Sequence, residues 1–136
     1  TLDRCVLIIY NNIMFNIDYS VIKTDKVNAS TIHNYTIFCI FNWCIERGLT
    51  PILEKPEKYF LESEKRIKNG KIDVGVFQGN DYKIAFEVDF SLKPQSLAKL
   101  KLCDAKEKYW LIIERDVEPI NKNYFIDDIK VIFLTF

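Results

Sequence analysis

Between Lys71 and Phe90 the chain alternates apolar and polar residues in two successive runs. Asp73 and Gly75 separate Ile72, Val74 and Val76, while Ala85, Glu87 and Asp89 separate Ile84, Phe86, Val88 and Phe90. A period of two belongs to a strand with one apolar face, because successive side chains point to opposite sides. Gln78-Gly79-Asn80-Asp81 between the runs has the composition of a tight turn, so the segment predicts a hairpin. Alternation places Asp73, Glu87 and Asp89 on one face, opposite Ile72, Val74, Phe86 and Val88.

Upstream, Cys5 to Asp18 is rich in Ile, Val, Tyr and Phe and is broken by Asn11-Asn12, which predicts two short strands joined at a turn. Ser20 to Asn28 reads as a connection, with Ser30 or Thr31 as the cap of a helix. From Thr31 to Arg47, Ile32, Tyr35, Phe38, Cys39, Trp43 and Ile45 recur at mostly helical intervals, and Gly48 supplies a stop. The Phe, Ile and Trp content lowers helix propensity, so packing must stabilise this helix, and a strand pair is the alternative. Leu49 to Leu53 predicts a short strand ended by Pro56, and the charged stretch Glu54 to Lys71 a solvated helix or loop. On another reading Lys65, Arg66, Lys68 and Lys71 form a phosphate-binding edge.

Downstream, Pro94 opens a helix to about Lys106, with Leu97, Leu100 and Leu102 apolar and Lys93, Lys99 and Lys101 basic. The ordinary role of those lysines is the polar face of an amphipathic helix. Tyr109 to Ile113 predicts a fully buried strand and Ile129 to Phe136 another. A strand-strand-helix-strand order gives an α/β fold, a mixed sheet with flanking helices and a right-handed crossover.

At 136 residues and 49% apolar content the chain is expected to form one domain, 1–136, with 1–29 as an N-terminal strand extension and 30–136 as the core. Nineteen basic against 19 acidic residues leave no overall attraction for polyanions, so nucleic-acid affinity must arise locally. No apolar stretch reaches the roughly 20 residues that span a bilayer, and no secretory signal opens the chain. Thr1 as first residue suggests processing or a fragment. Cys5, Cys39, Cys44 and Cys103 match neither paired zinc ligands nor a disulfide framework, so they are expected as buried free thiols of an intracellular protein. His33, the only histidine, is expected in a capping-turn or surface role, and Trp43 and Trp110 as core aromatics.

The chemistry concentrates on the hairpin. Glu87 and Asp89 lie roughly 7 Å apart along their strand, with Asp73 about 5 Å across from it in a favourable register. Carboxylates so crowded repel and raise one another's pKa, a penalty that a divalent cation removes. Mg²⁺ or Mn²⁺ suits such oxygen ligands and makes a bound water a better nucleophile toward a phosphodiester.

Ile72-Asp73-Val74, a short turn, then Phe86-Glu87-Val88-Asp89 and a helix resemble the core of the PD-(D/E)XK nuclease superfamily over about Glu46 to Ile113. The resemblance implies a restriction-endonuclease-like core, with Asp73 and Glu87 as metal ligands, Asp89 beside them, and Glu46 on the preceding helix as an additional acid. Asp89 occupies the position where that family has lysine. Some members supply the lysine from the following helix, which makes Lys93 or Lys99 the candidate, and Lys99 is favoured. Glu-x-Asp followed by Lys99-Leu100 also looks like nuclease-like domains of plasmid or viral replication and mobilisation proteins. The expected function is a metal-dependent nuclease acting on DNA ahead of RNA, with no membrane partner and with a homodimer among the assemblies the chain allows. The competing readings are a noncatalytic nucleic-acid-binding or assembly module, and an unrelated α/β interaction domain with a surface acidic hairpin.

Overall fold

The computed structural model describes residues 4–9, 13–24, 26–115 and 123–136. The predicted hairpin is its centre. Strand β4 (Arg66–Gln78) turns through Gly79 and Asn80 into β5 (Asp81–Asp89), with Gln78 opposite Asp81. Gly79 has φ +62°, the left-handed value that a two-residue hairpin turn demands at its first central position. From β5 the chain crosses through α2 (Pro94–Leu102) to β6 (Glu107–Glu114), which pairs parallel with β5. Every residue from Lys108 to Ile113 is buried, which explains why β6 reads as an unbroken apolar run.

The other strands are β1 (Arg4–Ile9), β2 (Ile13–Asp18), β3 (Thr50–Leu61), β7 (Tyr124–Ile126) and β8 (Ile129–Thr135). Six of the eight strands among the described residues form one mixed sheet in the order β3-β4-β5-β6-β8-β7, and β1 and β2 form a separate antiparallel pair. The strands expected on either side of Asn11-Asn12 are thus present, while those two asparagines lie outside the described residues.

Helix α1 (Ala29–Glu46) is capped by Asn28, whose Oδ1 accepts from Thr31 N at 2.8 Å. The cap therefore falls two or three residues before Ser30 or Thr31 would place it. Packing overrides the helix's modest propensity: Ile32, Ile40 and Trp43 enter one core with Val74, Phe86 and Val88. On the opposite side Leu100 of α2 joins a second core with Ala85, Trp110 and Ile112. Alternation along β5 thus feeds two cores rather than one core and solvent.

Three expectations are corrected. The charged stretch Glu54 to Lys71 is a hairpin instead of a helix or loop, because β3 runs on to Leu61 and β4 begins at Arg66. Pro56 is accommodated because β3 is the edge strand, where a missing N–H breaks no ladder bond. Helix α2 stops at Leu102, and Lys106 N bonds Tyr82 O instead of continuing the helix.

Three of the four basic residues expected at a phosphate-binding edge face acids. Glu64 takes Arg66 at 3.1 Å and Lys68 at 2.6 Å, and Lys71 stands 3.9 Å from Glu54. Cys39, Cys44 and Cys103 are free thiols, half-buried in the first case and buried in the others, while the side chain of Cys5 lies outside the described residues. Burial pushes the Cys44 thiol up to about 12, which removes it as a ligand or nucleophile near neutral pH. Among the described residues no helix is long and apolar enough to cross a membrane.

Candidate functional site

Strands β4 and β5 keep a backbone ladder as far as Val74 opposite Phe86. At the next step acidic side chains take over as acceptors. Asp73 N donates to Glu87 Oε1 at 2.8 Å, and Val88 N donates to Asp73 Oδ2 at 2.8 Å. Each carboxylate thus satisfies a backbone donor of the other strand, which fixes both side chains against one another.

The single-face expectation needs correction here. Ile72 packs with Leu100 and Trp110 in the α2 core, whereas Val74 packs in the α1 core. Alternation therefore breaks at Asp73. On the neighbouring strand Leu53 pairs with Val74 and Lys55 with Ile72 in one unbroken register, while Glu54 between them has φ +51° and makes no pair with Asp73. Asp73 reaches toward α1, with His33 Nε2 3.4 Å from its Oδ2, while Glu87 faces α2.

Glu87 is only 3% exposed. Burial, and after it the charge of Asp73, pushes its carboxyl up to about 7, while Lys99 pulls in the other direction. Lys99 Nζ stands 3.1 Å from Glu87 Oε2 and donates to Lys71 O at 2.8 Å. Lys99 is thus carried by α2 with its ammonium against the Glu87 carboxylate. Its stem crosses Gly70, where an added Cβ would lie 3.1 Å from Lys99 Cδ and 2.8 Å from the Tyr59 ring. Gly70 leaves room for that approach.

Asp89 is turned to a different role. Its Oδ2 accepts from the buried Trp110 indole at 2.9 Å and its Oδ1 faces Lys93 Nζ at 3.8 Å. It borders the same cavity but is held by partners other than Asp73 and Glu87. His33, expected at a capping turn or on the surface, is half-buried beside Asp73, whose hydrogen bond raises the imidazole pKa against the opposing effect of burial. No local signal could reveal this, because the contact joins residues forty positions apart.

Glu46 does not join the site. It ends α1, thirteen residues after His33 (46 − 33), which is roughly 20 Å along a helix. Its carboxylate is exposed, faces Arg47 at 3.7 Å and borders a different cavity, beside Met14 and Trp43. The N-terminal end of α1 approaches the acidic hairpin, and Glu46 sits at the other end.

His33, Asp73, Glu87, Asp89, Ser96 and Lys99 border an open cavity of about 700 Å³. Among the described residues no three His, Cys, Asp or Glu side chains form a preassembled ligand shell. That still fits Mg²⁺ or Mn²⁺, since such ions are commonly held by one or two carboxylates, with water and substrate phosphate completing the shell. Asp73 and Glu87 are fixed beside one another and carry mutually unfavourable charge, so their donor chemistry suits the ion. No protein-family profile and no curated protein matches this chain.

Proposed function

We propose that the chain is a divalent-metal-dependent nuclease on a restriction-endonuclease-like core, acting on DNA ahead of RNA. The observation that carries the reading is the convergence of Asp73, Glu87 and a helix-borne Lys99 on one open cavity. Asp73 and Glu87 would hold Mg²⁺ or Mn²⁺, which supplies an activated water and offsets charge on a phosphodiester. Lys99 is placed to put a positive charge beside the phosphate as the transition state gathers negative charge. In the absence of the ion its ammonium neutralises Glu87, so it needs only a short swing to serve both roles. His33 holds Asp73 from the α1 side and orients that carboxylate.

A noncatalytic nucleic-acid-binding module is the second reading, favoured by one observation: the Trp110 indole and Lys93 engage Asp89, which stands where a catalytic lysine is expected. Nicking of supercoiled plasmid and cleavage of single-stranded DNA with Mg²⁺ or Mn²⁺ separates the two. Cleavage by the wild type and its loss in both Asp73→Ala and Glu87→Ala supports the nuclease. DNA binding by a folded wild type that never cuts, whichever ion is supplied, sinks it.

A further inference from the structure

The cavity has a second chemical feature at the beginning of α2. Lys93 is the cap residue of that helix and gives its first turn no side-chain hydrogen bond. Pro94 has no N–H to offer, and Ser96 N and Leu97 N are taken by Lys93 O at 3.1 and 3.3 Å. Gln95 N–H is the remaining donor of this turn, at the end of the helix where the dipole favours negative charge.

Ser96 gives the independent sign that a ligand belongs there. It is 3% exposed and borders the cavity, and its hydroxyl takes no hydrogen bond from the described residues. Among those residues the fully enclosed polar side-chain atoms without a partner are Trp43 Nε1 and Tyr82 OH, so the Ser96 hydroxyl, which is not one of them, opens onto the cavity. In a helix interior serine can return its proton to a carbonyl one turn back, and Ser96 does not. It precedes Lys99 by three residues on the same helix, so both side chains lie on one face. Asp89 alongside is already engaged by Trp110 and Lys93, so it opposes an anion less than a free carboxylate would.

We propose that Ser96 Oγ–H, with Gln95 N–H and the Lys93 ammonium, forms a seat for a phosphate oxyanion of the nucleic acid, next to the Asp73–Glu87 pair. The identity of the ligand rests on the nuclease reading; the donor geometry does not. The seat binds without covalent chemistry and aligns the backbone so that the adjoining phosphodiester lies over Glu87 and Lys99.

The test is a titration of the ¹⁵N-labelled protein with the dinucleotide d(TpT), with thymidine and with inorganic phosphate, Ca²⁺ being present to offset the carboxylates. The Gln95 and Ser96 amide resonances are expected to move saturably with d(TpT) and to stay in place with thymidine. Ser96→Ala should weaken d(TpT) binding about tenfold, as expected for one hydrogen bond to a charged group, while Ser96→Thr keeps it within about twofold. Inorganic phosphate acting on the same amides at lower concentration than d(TpT) supports the seat and assigns it to a terminal phosphate rather than an internal one. Equal responses to thymidine and d(TpT), or unchanged affinity in Ser96→Ala, overturn it. Paramagnetic broadening by Mn²⁺ around Asp73 and Glu87 is read separately. Broadening there with an unresponsive Ser96 rejects the seat and leaves the metal reading standing, whereas a responsive Ser96 without broadening upholds the seat and rejects the metal reading.

Discussion

Asp73→Asn should flatten the dependence of stability on pH between 5 and 8, and the wild-type slope should run opposite to that of a protein held together by ion pairs. An unfolded Glu87 ionises around its ordinary 4.5, whereas the folded protein holds that proton to about 7. Between those values the native state binds more protons than the unfolded one, so stability falls as pH rises. At 1.36 kcal/mol per pH unit the gap corresponds to about 3 kcal/mol lost by pH 8. His33 acts in the same direction, because the stability from its raised pKa is present below about 6.5 and lost as the imidazole deprotonates. Asp73 contributes to both effects, as the neighbouring charge of Glu87 and the hydrogen-bond partner of His33. Burial remains the larger cause for Glu87, so the variant should lose part of the slope rather than all of it. Glu64 and Asp81, held low by lysine neighbours, act on the acid side of this window, and Cys44 at about 12 acts on the alkaline side. Urea unfolding followed by the fluorescence of buried Trp43 and Trp110 reads the effect at each pH. Wild-type stability that is flat or rising from pH 5 to 8, or an identical slope in Asp73→Asn, refutes the reasoning.

Four further outcomes are expected. Lys99→Ala should lower cleavage about 10²–10³-fold while Mn²⁺ binding by calorimetry is retained, because it removes a transition-state charge and leaves both carboxylates; Lys93→Ala is the milder control. Gly70→Ala should destabilise by about 1–3 kcal/mol in urea and reduce cleavage, since the added methyl crowds Tyr59 and the stem of Lys99. Ser96→Ala should leave stability within about 0.5 kcal/mol, because the hydroxyl opens onto the cavity and bonds no described residue, and a clear loss in melting temperature would show that the hydroxyl is structural. Glu46→Ala should leave metal affinity and cleavage unchanged, and a loss of either would return it to the site.

What the sequence disclosed depended on how each element buries its residues. The β4–β5 hairpin was legible because the α1 core takes Val74, Val76, Ile84, Phe86 and Val88 at a period of two, whereas Ile72, which continues that pattern in sequence, belongs to the α2 core. The β3–β4 hairpin was hidden, since most residues of β3 are exposed or half-buried on both faces and only Tyr59 and Leu61 are buried. With so little burial, alternation leaves no hydrophobic trace, and Pro56 looked like an end. From sequence Lys99 stood as one choice beside Lys93, and the helix geometry shows which carboxylate each of them meets. Lys93, as the cap residue, meets Asp89, while Lys99 lies far enough along α2 to meet Glu87.

That His33 approaches the acids and Glu46 does not was beyond local patterning. Both belong to one 18-residue helix, and periodicity identifies its buried side without saying which end approaches the acids. Tertiary topology settles that point. The same holds for Asp73, whose departure from simple alternation falls opposite the left-handed backbone of Glu54 on the adjacent strand. There is a physical logic to where the ladder gives way. In a regular antiparallel pair continuing from Val74 opposite Phe86, Asp73 and Val88 belong to adjacent pairs, so their N–H groups would not both point across this seam. Here those donors bind the carboxylates instead, which keeps two like charges together in a buried setting. Continuing the regular ladder past Val74 would withdraw at least one of these two donors and, with it, dismantle the arrangement suited to a cation.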